Sequence, residues 1–383
     1  MKKKLLFVCN NMLYGGIPRA LVNLLAELTD EYAVDLLLFS GTGGCLADVP
    51  AGVRVLEGDG LLMLLGIPQA ELRKKSPALA LLRAVLVAVS RVAGNRLPRR
   101  FVYRTAGDRN GYDAAIAYAQ DNSDRAFAIG CNEFVLQKTD APLKIAFLHC
   151  DFRRYGGNTP GNRRVYEKFD RIACVSDGCR NAFCEVMPQL AGRVYTVRNC
   201  TDFGRIRRLA QEPVCPFPAG QFSLLSVSRI TPEKGYPRAL AAIGGLLEHT
   251  PRLHWYIVGD GTDYDAFRQE VRKAGLADQV HFLGSRDNPY PYMKQADLFF
   301  LPSLHEAAPL VYEDAACLGL PILTTRTTSA CSLVRKRGLG FVCANSEEGI
   351  RTALTELLAR PEELEEIRAG LAVRAWSNRE SLA

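Results

Sequence analysis

In the stretch SVSRITPEKG, Arg229 and Lys234 lie five residues apart around a proline turn that follows an apolar run. Two cations at the end of a strand can neutralise a diphosphate as it departs, through charge-assisted hydrogen bonds to its oxygens. Farther along, LPSLHEAAPLVYEDAACLGLPILTT places Glu306 in a loop and Asp314 eight residues later. At about 1.5 Å per helical residue their backbones are expected roughly 12 Å apart, a span that would join the sugar end of a nucleotide sugar to its ribose. The APLV segment between them is expected to open a helix and present backbone N–H groups to phosphate. Acids near a helix start also complement its dipole with no ligand present. Glu313, beside Asp314, is expected to point elsewhere.

A second group lies nearer the start of the chain. NNMLYGGIPRALVNLL follows the first apolar run and opens a helix, and Gly15 and Gly16 let backbone approach an anion at that helix N-terminus. The loop lacks G-x-G-x-x-G with an acid about twenty residues on, so NAD and FAD are disfavoured. A glycine pair also serves a tight turn that binds nothing. His149 ends the run IAFLH, and the carboxyl end of a strand is where open α/β sheets hold ligands. Asp151 either binds acceptor hydroxyls or is solvated. The D-x-D at Asp263 and Asp265 opens a helix, where acids complement the dipole, and is discounted as a cation site.

These residues need elements to hold them. Short β-rich runs alternate with segments of helical period, the signature of a parallel sheet wrapped by helices. Strands are expected at KLLFVC, AVDLLLF, VRVLE, DAAIAYA, LKIAFLH, RIACVS and RVYTVRN, with a helix over 18–29. Three closely spaced prolines in EPVCPFPAG favour a linker over 201–220. The pattern restarts with FSLLSVS, LHWYIVG, VHFLG, DLFFLP and PILTT, with helices over 236–248 and 264–275. The last stretch reads as two helices parted at Pro361. The fold class is therefore α/β with two Rossmann-like units, 1–200 and 221–383, the last helix packing back on the first. Tandem units of this kind imply a cleft facing the carboxyl ends of both strand sets.

Composition sets outer bounds. A chain of 383 residues is long enough for two cores, and a hydrophobic share of 48% with 23% charged residues is that of an ordinary globular protein. Leu5 to Cys9 is shorter than the apolar region of a secretory signal and reads as a first strand. No stretch approaches the roughly 20 apolar residues that cross a bilayer. Twelve cysteines form no C-x-x-C pair, and Cys174, Cys179 and Cys184 are spaced five apart, so reduced, buried thiols are expected. Lys and Arg number 48 against 41 Asp and Glu, a net +7. Between Glu71 and Asp108 every charged residue is basic, and SPALALLRAVLVAVSRVAG has helical length. That segment is either a core helix with solvated basic flanks or a surface that meets anionic lipid or a lipid-linked acceptor. Nucleic acid is disfavoured because no recognition motif or interleaved aromatics accompany it.

The run from VGDGTDYDAFRQ to LGLPILTT resembles the donor domain of family-four retaining glycosyltransferases of the GT-B fold. GGIPRALVNLL, RIACVSDGCRNAF, VRNCTDFGRIR and SRITPEKG resemble further parts of that family, in the same order; only 58–109 is unmatched. The resemblance implies that Arg229 and Lys234 contact the donor diphosphate, that Glu306 lies by the donor sugar and that Asp314 meets the ribose. Asp stands at 314 where the family usually has Glu, one methylene longer, so that contact is expected to be adjusted. It also implies that Leu310 and Val311 offer amides to phosphate, that Gly259 and Gly261 shape the turn near the base or sugar, and that His149 lies against the donor sugar. Gly16 would face phosphate or acceptor, with Arg19 as a helper. The implied activity is transfer of a sugar from a UDP- or GDP-linked donor to a glycan or lipid-linked acceptor. It proceeds with retention, without a metal or other cofactor, in the cytoplasm or at the inner face of the membrane, in polysaccharide biosynthesis. A sugar-nucleotide epimerase and a weakened sugar-nucleotide-binding scaffold are the competing readings.

Overall fold

Apolar runs of three to six residues, too short for helices and rich in Leu, Ile, Val and Phe, become the strands of parallel sheets, the central ones buried on both faces and the edge strands only in part. The computed structural model describes residues 2–382. Contacts divide it into a first unit that ends at Cys200 and is joined by Ser381, and a second unit, Thr201–Glu380.

The first unit runs β1 (Lys4–Cys9), α1 (Gly16–Leu28), β2 (Ala33–Leu38), β3 (Val53–Glu57), α2 (Met63–Gly66), α3 (Gln69–Lys75), α4 (Pro77–Ala93), α5 (Arg96–Arg104), β4 (Ala114–Ala117), α6 (Cys131–Lys138), β5 (Leu143–Leu148), α7 (Pro160–Tyr166), β6 (Arg171–Cys174), α8 (Asp177–Val186) and β7 (Val194–Thr196). Its seven parallel strands lie in the order β3-β2-β1-β4-β5-β6-β7. The chain winds outward from β1 to β3, crosses through α2 to α5, and returns beside β1 as β4. The order thus reverses between β1 and β4, which opens a crevice at their carboxyl ends.

The second unit runs α9 (Phe203–Leu209), β8 (Phe222–Val227), α10 (Tyr236–His249), β9 (Leu253–Val258), α11 (Tyr264–Lys273), β10 (Val280–Gly284), α12 (Tyr290–Gln295), β11 (Leu298–Leu301), α13 (Val311–Ala316), β12 (Ile322–Thr325), β13 (Gly340–Cys343), α14 (Glu347–Ala359) and α15 (Pro361–Ala372), with α16 (Arg379–Leu382) ending the chain. Its six parallel strands take the order β10-β9-β8-β11-β12-β13, so this sheet reverses between β8 and β11. Alternation along β8 feeds two cores: Leu224 packs with Trp255, Ile257 and Phe300 on one face, and Leu225 with Tyr256, Val258 and Phe299 on the other.

Two differences from the sequence expectation have local causes. Residues 201–220, expected as a linker, contain α9, which Asp202 caps by accepting from Arg205 N at 2.8 Å and which Asn288 ties down through Leu209 O at 2.9 Å. The prolines that suggested a linker all come after it. Strand β13 was not expected; its four residues follow Gly338, and Gly340, at φ +150°, lets it close against Ile322. All twelve cysteines are free thiols and most are buried. Among the described residues no helix is long and apolar enough to cross a membrane.

Candidate active site

Arg229 and Lys234 follow β8, and Glu306 follows β11, so the three occupy loops on either side of the second sheet's reversal point. Lys234 ends a short turn of 3-10 helix, and Gly235, at φ +70°, turns the chain into α10. That glycine is required, because a Cβ there would crowd Pro302 O. Leu304 N donates to Glu233 O at 2.8 Å, and Arg238 Nη2, from the first turn of α10, donates to Pro302 O at 2.8 Å. The loops after β8 and β11 are thereby joined by one backbone bond and one side-chain bond. Lys234 Nζ reaches Glu306 Oε1 at 2.6 Å, with both side chains more than four-fifths buried. Ser303 Oγ donates to the same oxygen at 2.7 Å. The end of β11 is fixed from beneath by hydroxyls: Ser226 Oγ donates to Phe300 O at 2.6 Å and Thr324 Oγ1 to Leu301 O at 2.8 Å. An ammonium has three protons, so one on Glu306 leaves donors for an anion. The Arg229 side chain, by contrast, is 75% exposed and lies 3.5 Å from Glu233 Oε1. An exposed guanidinium and a held ammonium thus border the reversal point.

The loop after β9 presses on the Arg229 loop. A Cβ on Gly259, at φ +151°, would overlap Ser228 O, and one on Gly261 would overlap Ile230 O. Ile230 N donates to Asp260 O at 2.9 Å, and Asp263 N to Ile230 O at 3.1 Å. The two glycines therefore set the path of the backbone that carries Arg229. Asp263 and Asp265 stand at the start of α11, and among the described residues no group of three or more His, Cys, Asp or Glu could hold a metal ion.

Glu306 and Asp314 are not joined by one helix. Glu306 to Pro309 form a loop, and α13 begins only at Val311. The 12 Å separation assumed a helical rise throughout and does not apply. Leu310 and Val311 open this six-residue helix, where first-turn N–H groups lack intrahelical partners. Asp314 is half-buried in its second half, and Glu313 is turned aside onto Arg337 Nη1.

The first unit holds the remaining residues. His149 follows β5; its backbone N–H donates to Gln120 Oε1, and its Nε2 lies 2.8 Å from Tyr118 O. A carbonyl only accepts, so Nε2 carries the proton and Nδ1 keeps the lone pair. Burial pushes the imidazole pKa down to about 4, against a smaller upward pull from the Tyr118 carbonyl, so the ring is neutral near pH 7. Phe147 and Tyr118 pack against it at ring distances of 5.7 and 4.7 Å. Gly15 and Gly16 are exposed at the start of α1; their Cβ positions are open, with nothing nearer than 3.9 Å. Neither glycine is demanded by the chain's own packing. Arg19 Nη2 pairs with Asp48 Oδ2 at 2.6 Å. Asp151, expected either on acceptor or in solvent, is 8% exposed and gripped by Arg153 through Nε at 3.0 Å and Nη2 at 2.8 Å.

Residues 209–370 match the family model described as glycosyl transferases group 1. The chain carries a glycosyl transferases group 1 domain. It is 24% identical over 204 residues to the lipopolysaccharide core biosynthesis glycosyltransferase LpsE of Rhizobium meliloti, a stretch covering 53% of this chain and 58% of that protein. The chain thus spans little more than half the length of that relative. Among solved structures it is similar to Anabaena Alr3699/HepE, crystallised with UDP, at TM-score 0.64 and 18% identity over 96% of this chain and 93% of that one. A glycosyltransferase from Rickettsia africae gives TM-score 0.67 and 12% identity over 97% and 92%. These likenesses show the fold, the two parallel-sheet units of GT-B glycosyltransferases.

The group 1 domain contains Arg229, Lys234, Gly259, Gly261, Glu306, Leu310, Val311 and Asp314, whereas Gly15, Gly16, Arg19, His149 and Asp151 precede it. Within the domain, the structure brings Lys234 and Glu306 into contact and leaves Arg229 exposed. Ser303 and Arg238, which fix the Glu306 loop, were not anticipated. Ser303 had a signal only in its position three residues before Glu306 in SLHE, near enough along the chain for the two side chains to meet. Arg238 had none.

Proposed function

We propose that this protein is a retaining glycosyltransferase that moves a sugar from a UDP- or GDP-linked donor to a glycan or lipid-linked acceptor. The Lys234–Glu306 pair at the sheet's reversal point, inside the group 1 domain, carries this reading. As the anomeric bond breaks, positive charge develops on the sugar and negative charge on the diphosphate. Lys234 and Arg229 stabilise the diphosphate, assisted by the amides of Leu310 and Val311, and do so without a divalent ion. Glu306 holds the donor sugar, and Asp314 meets the ribose. His149, neutral with Nδ1 free to accept, takes a hydrogen bond from a sugar hydroxyl. Gly15 and Gly16 leave open space over the α1 N-terminus for donor phosphate or acceptor, with Arg19 beside it. The acceptor attacks from the face the diphosphate vacates, which keeps the anomeric configuration. The setting is cell-envelope polysaccharide synthesis, with the protein in the cytoplasm and in peripheral contact with anionic membrane.

The test is nucleotide release from a panel of UDP- and GDP-sugars, with and without acceptor extracts and with a chelator present. Acceptor-dependent release that persists in chelator supports the reading. Conversion of the donor without any acceptor would indicate an epimerase, and a protein that neither binds nor turns over any donor would end the transferase reading.

A further inference from the structure

The crossover between β3 and β4 carries α2 to α5, and its longest helix turns an apolar face to solvent. On α4, Leu81, Val85, Val89 and Val92 are 68, 52, 41 and 84% exposed. Steps of four, four and three residues place them on one stripe, about 16 Å long at 1.5 Å per residue. The helix is firmly seated on its other side: Ala80, Leu86 and Ser90 are buried, and Arg83 Nε donates to Leu64 O at 2.8 Å. Ser76 caps it by accepting from Leu79 N at 3.3 Å. The exposed stripe therefore belongs to an ordered helix. On α5, Leu97 and Phe101 repeat the exposure at a spacing of four, 70 and 47%.

Charge identifies what covers this surface. No acidic residue occurs between Glu71 and Asp108. Exposed cations flank the stripe at both ends, Arg73 and Lys74 before α4 and Arg91, Arg96, Arg100 and Arg104 at and beyond its end. A second copy of the chain meeting this face symmetrically would bring these like charges together, which opposes self-association. A bilayer with anionic headgroups meets both features at once, taking the aliphatic stripe at the acyl boundary and the cations at the phosphate level.

We propose that the α4–α5 face docks on an anionic phospholipid bilayer, with Leu81, Val85, Val89 and Val92 as the inserted side chains. This rests on the peripheral-membrane reading above and deepens it by naming the surface. The test is sedimentation of the full-length protein with vesicles of phosphatidylcholine alone or mixed with phosphatidylglycerol. Wild type is expected to pellet with the anionic vesicles, and a Val85→Glu/Val89→Glu variant to bind at least about tenfold more weakly. An Arg96→Glu/Arg100→Glu variant loses roughly fivefold for each cation removed. Wild type pelleting equally with neutral vesicles overturns the proposal. Variants that pellet like wild type overturn this face while leaving another membrane surface possible. A concentration-dependent dimer that the valine variant abolishes, with no vesicle binding, assigns the face to a second copy. Donor binding by the same variants shows that they are folded, and it separates failure of the membrane surface from failure of the transferase reading.

Discussion

Lys234 and Glu306 lie 72 residues apart in the chain and meet at 2.6 Å because Gly235, Leu304 and Arg238 lock their loops together. With Lys234 as a leaving-group stabiliser, Lys234→Ala lowers kcat by on the order of a hundredfold. The check is steady-state turnover at saturating donor, and a soluble variant that turns over like wild type removes Lys234 from the machinery. His149 gives a second residue-scale expectation. Its folded pKa of about 4 lies below the ordinary 6.5, so between these values the unfolded chain binds more protons than the native one. The associated stability is fully present above about pH 6.5 and is lost as pH falls towards 4, to a limit of about 3 kcal/mol. Denaturation midpoints across that range should fall more steeply with falling pH in wild type than in His149→Gln, which keeps the smaller slope of His281, also held below its ordinary pKa by burial. At this scale the candidate cations and acids were legible because each sits in a short local pattern. The partners were not: nothing in CDFRR announces that Arg153 grips Asp151, and nothing local reveals that Arg99, 1% exposed, pairs with Asp121 at 3.4 Å and Glu133 at 3.2 Å.

Strand positions were legible from their apolar runs, because a strand buried on both faces needs no alternation to be seen. Strand order, and hence the reversal points that gather the site loops, depends on pairings between distant segments and could not be read. The start of α13 was expected a few residues too early, at APLV. Pro309 disfavours a helical conformation at Ala308, so the helix cannot open at the first residue of APLV, and α13 begins at Val311. The glycines separate structural from functional demand. Gly259→Ala forces a Cβ onto Ser228 O at a φ that side chains avoid, costing about 1–3 kcal/mol and displacing the Arg229 loop. Both a lowered Tm and weakened donor binding are expected. Gly16→Ala meets open space, so its Tm should stay at or slightly above that of wild type. A fall in turnover there without a fall in Tm marks a ligand at the start of α1; unchanged turnover assigns Gly16 to the turn alone.

At the scale of the whole molecule, a net charge of +7 is distributed unevenly, with the acid-free stretch concentrated on one crossover of the first unit and Arg229 and Lys234 in the second. These two sets answer differently to salt. The Lys234–Glu306 pair is mostly buried, and screening between buried charges is weak, whereas the exposed cations around α4 and α5 act through water. Raising ionic strength from about 0.1 M to about 1 M shortens the screening length from roughly 10 Å to roughly 3 Å. Transfer to an acceptor embedded in anionic vesicles should therefore fall steeply over that range, while transfer to a soluble acceptor analogue should fall less, by the part that exposed Arg229 contributes to donor binding. The comparison is made with one protein preparation and one donor, so that only the location of the acceptor differs. Parallel loss with both acceptors would place the salt-sensitive step at the diphosphate site and leave the basic crossover without a role in turnover.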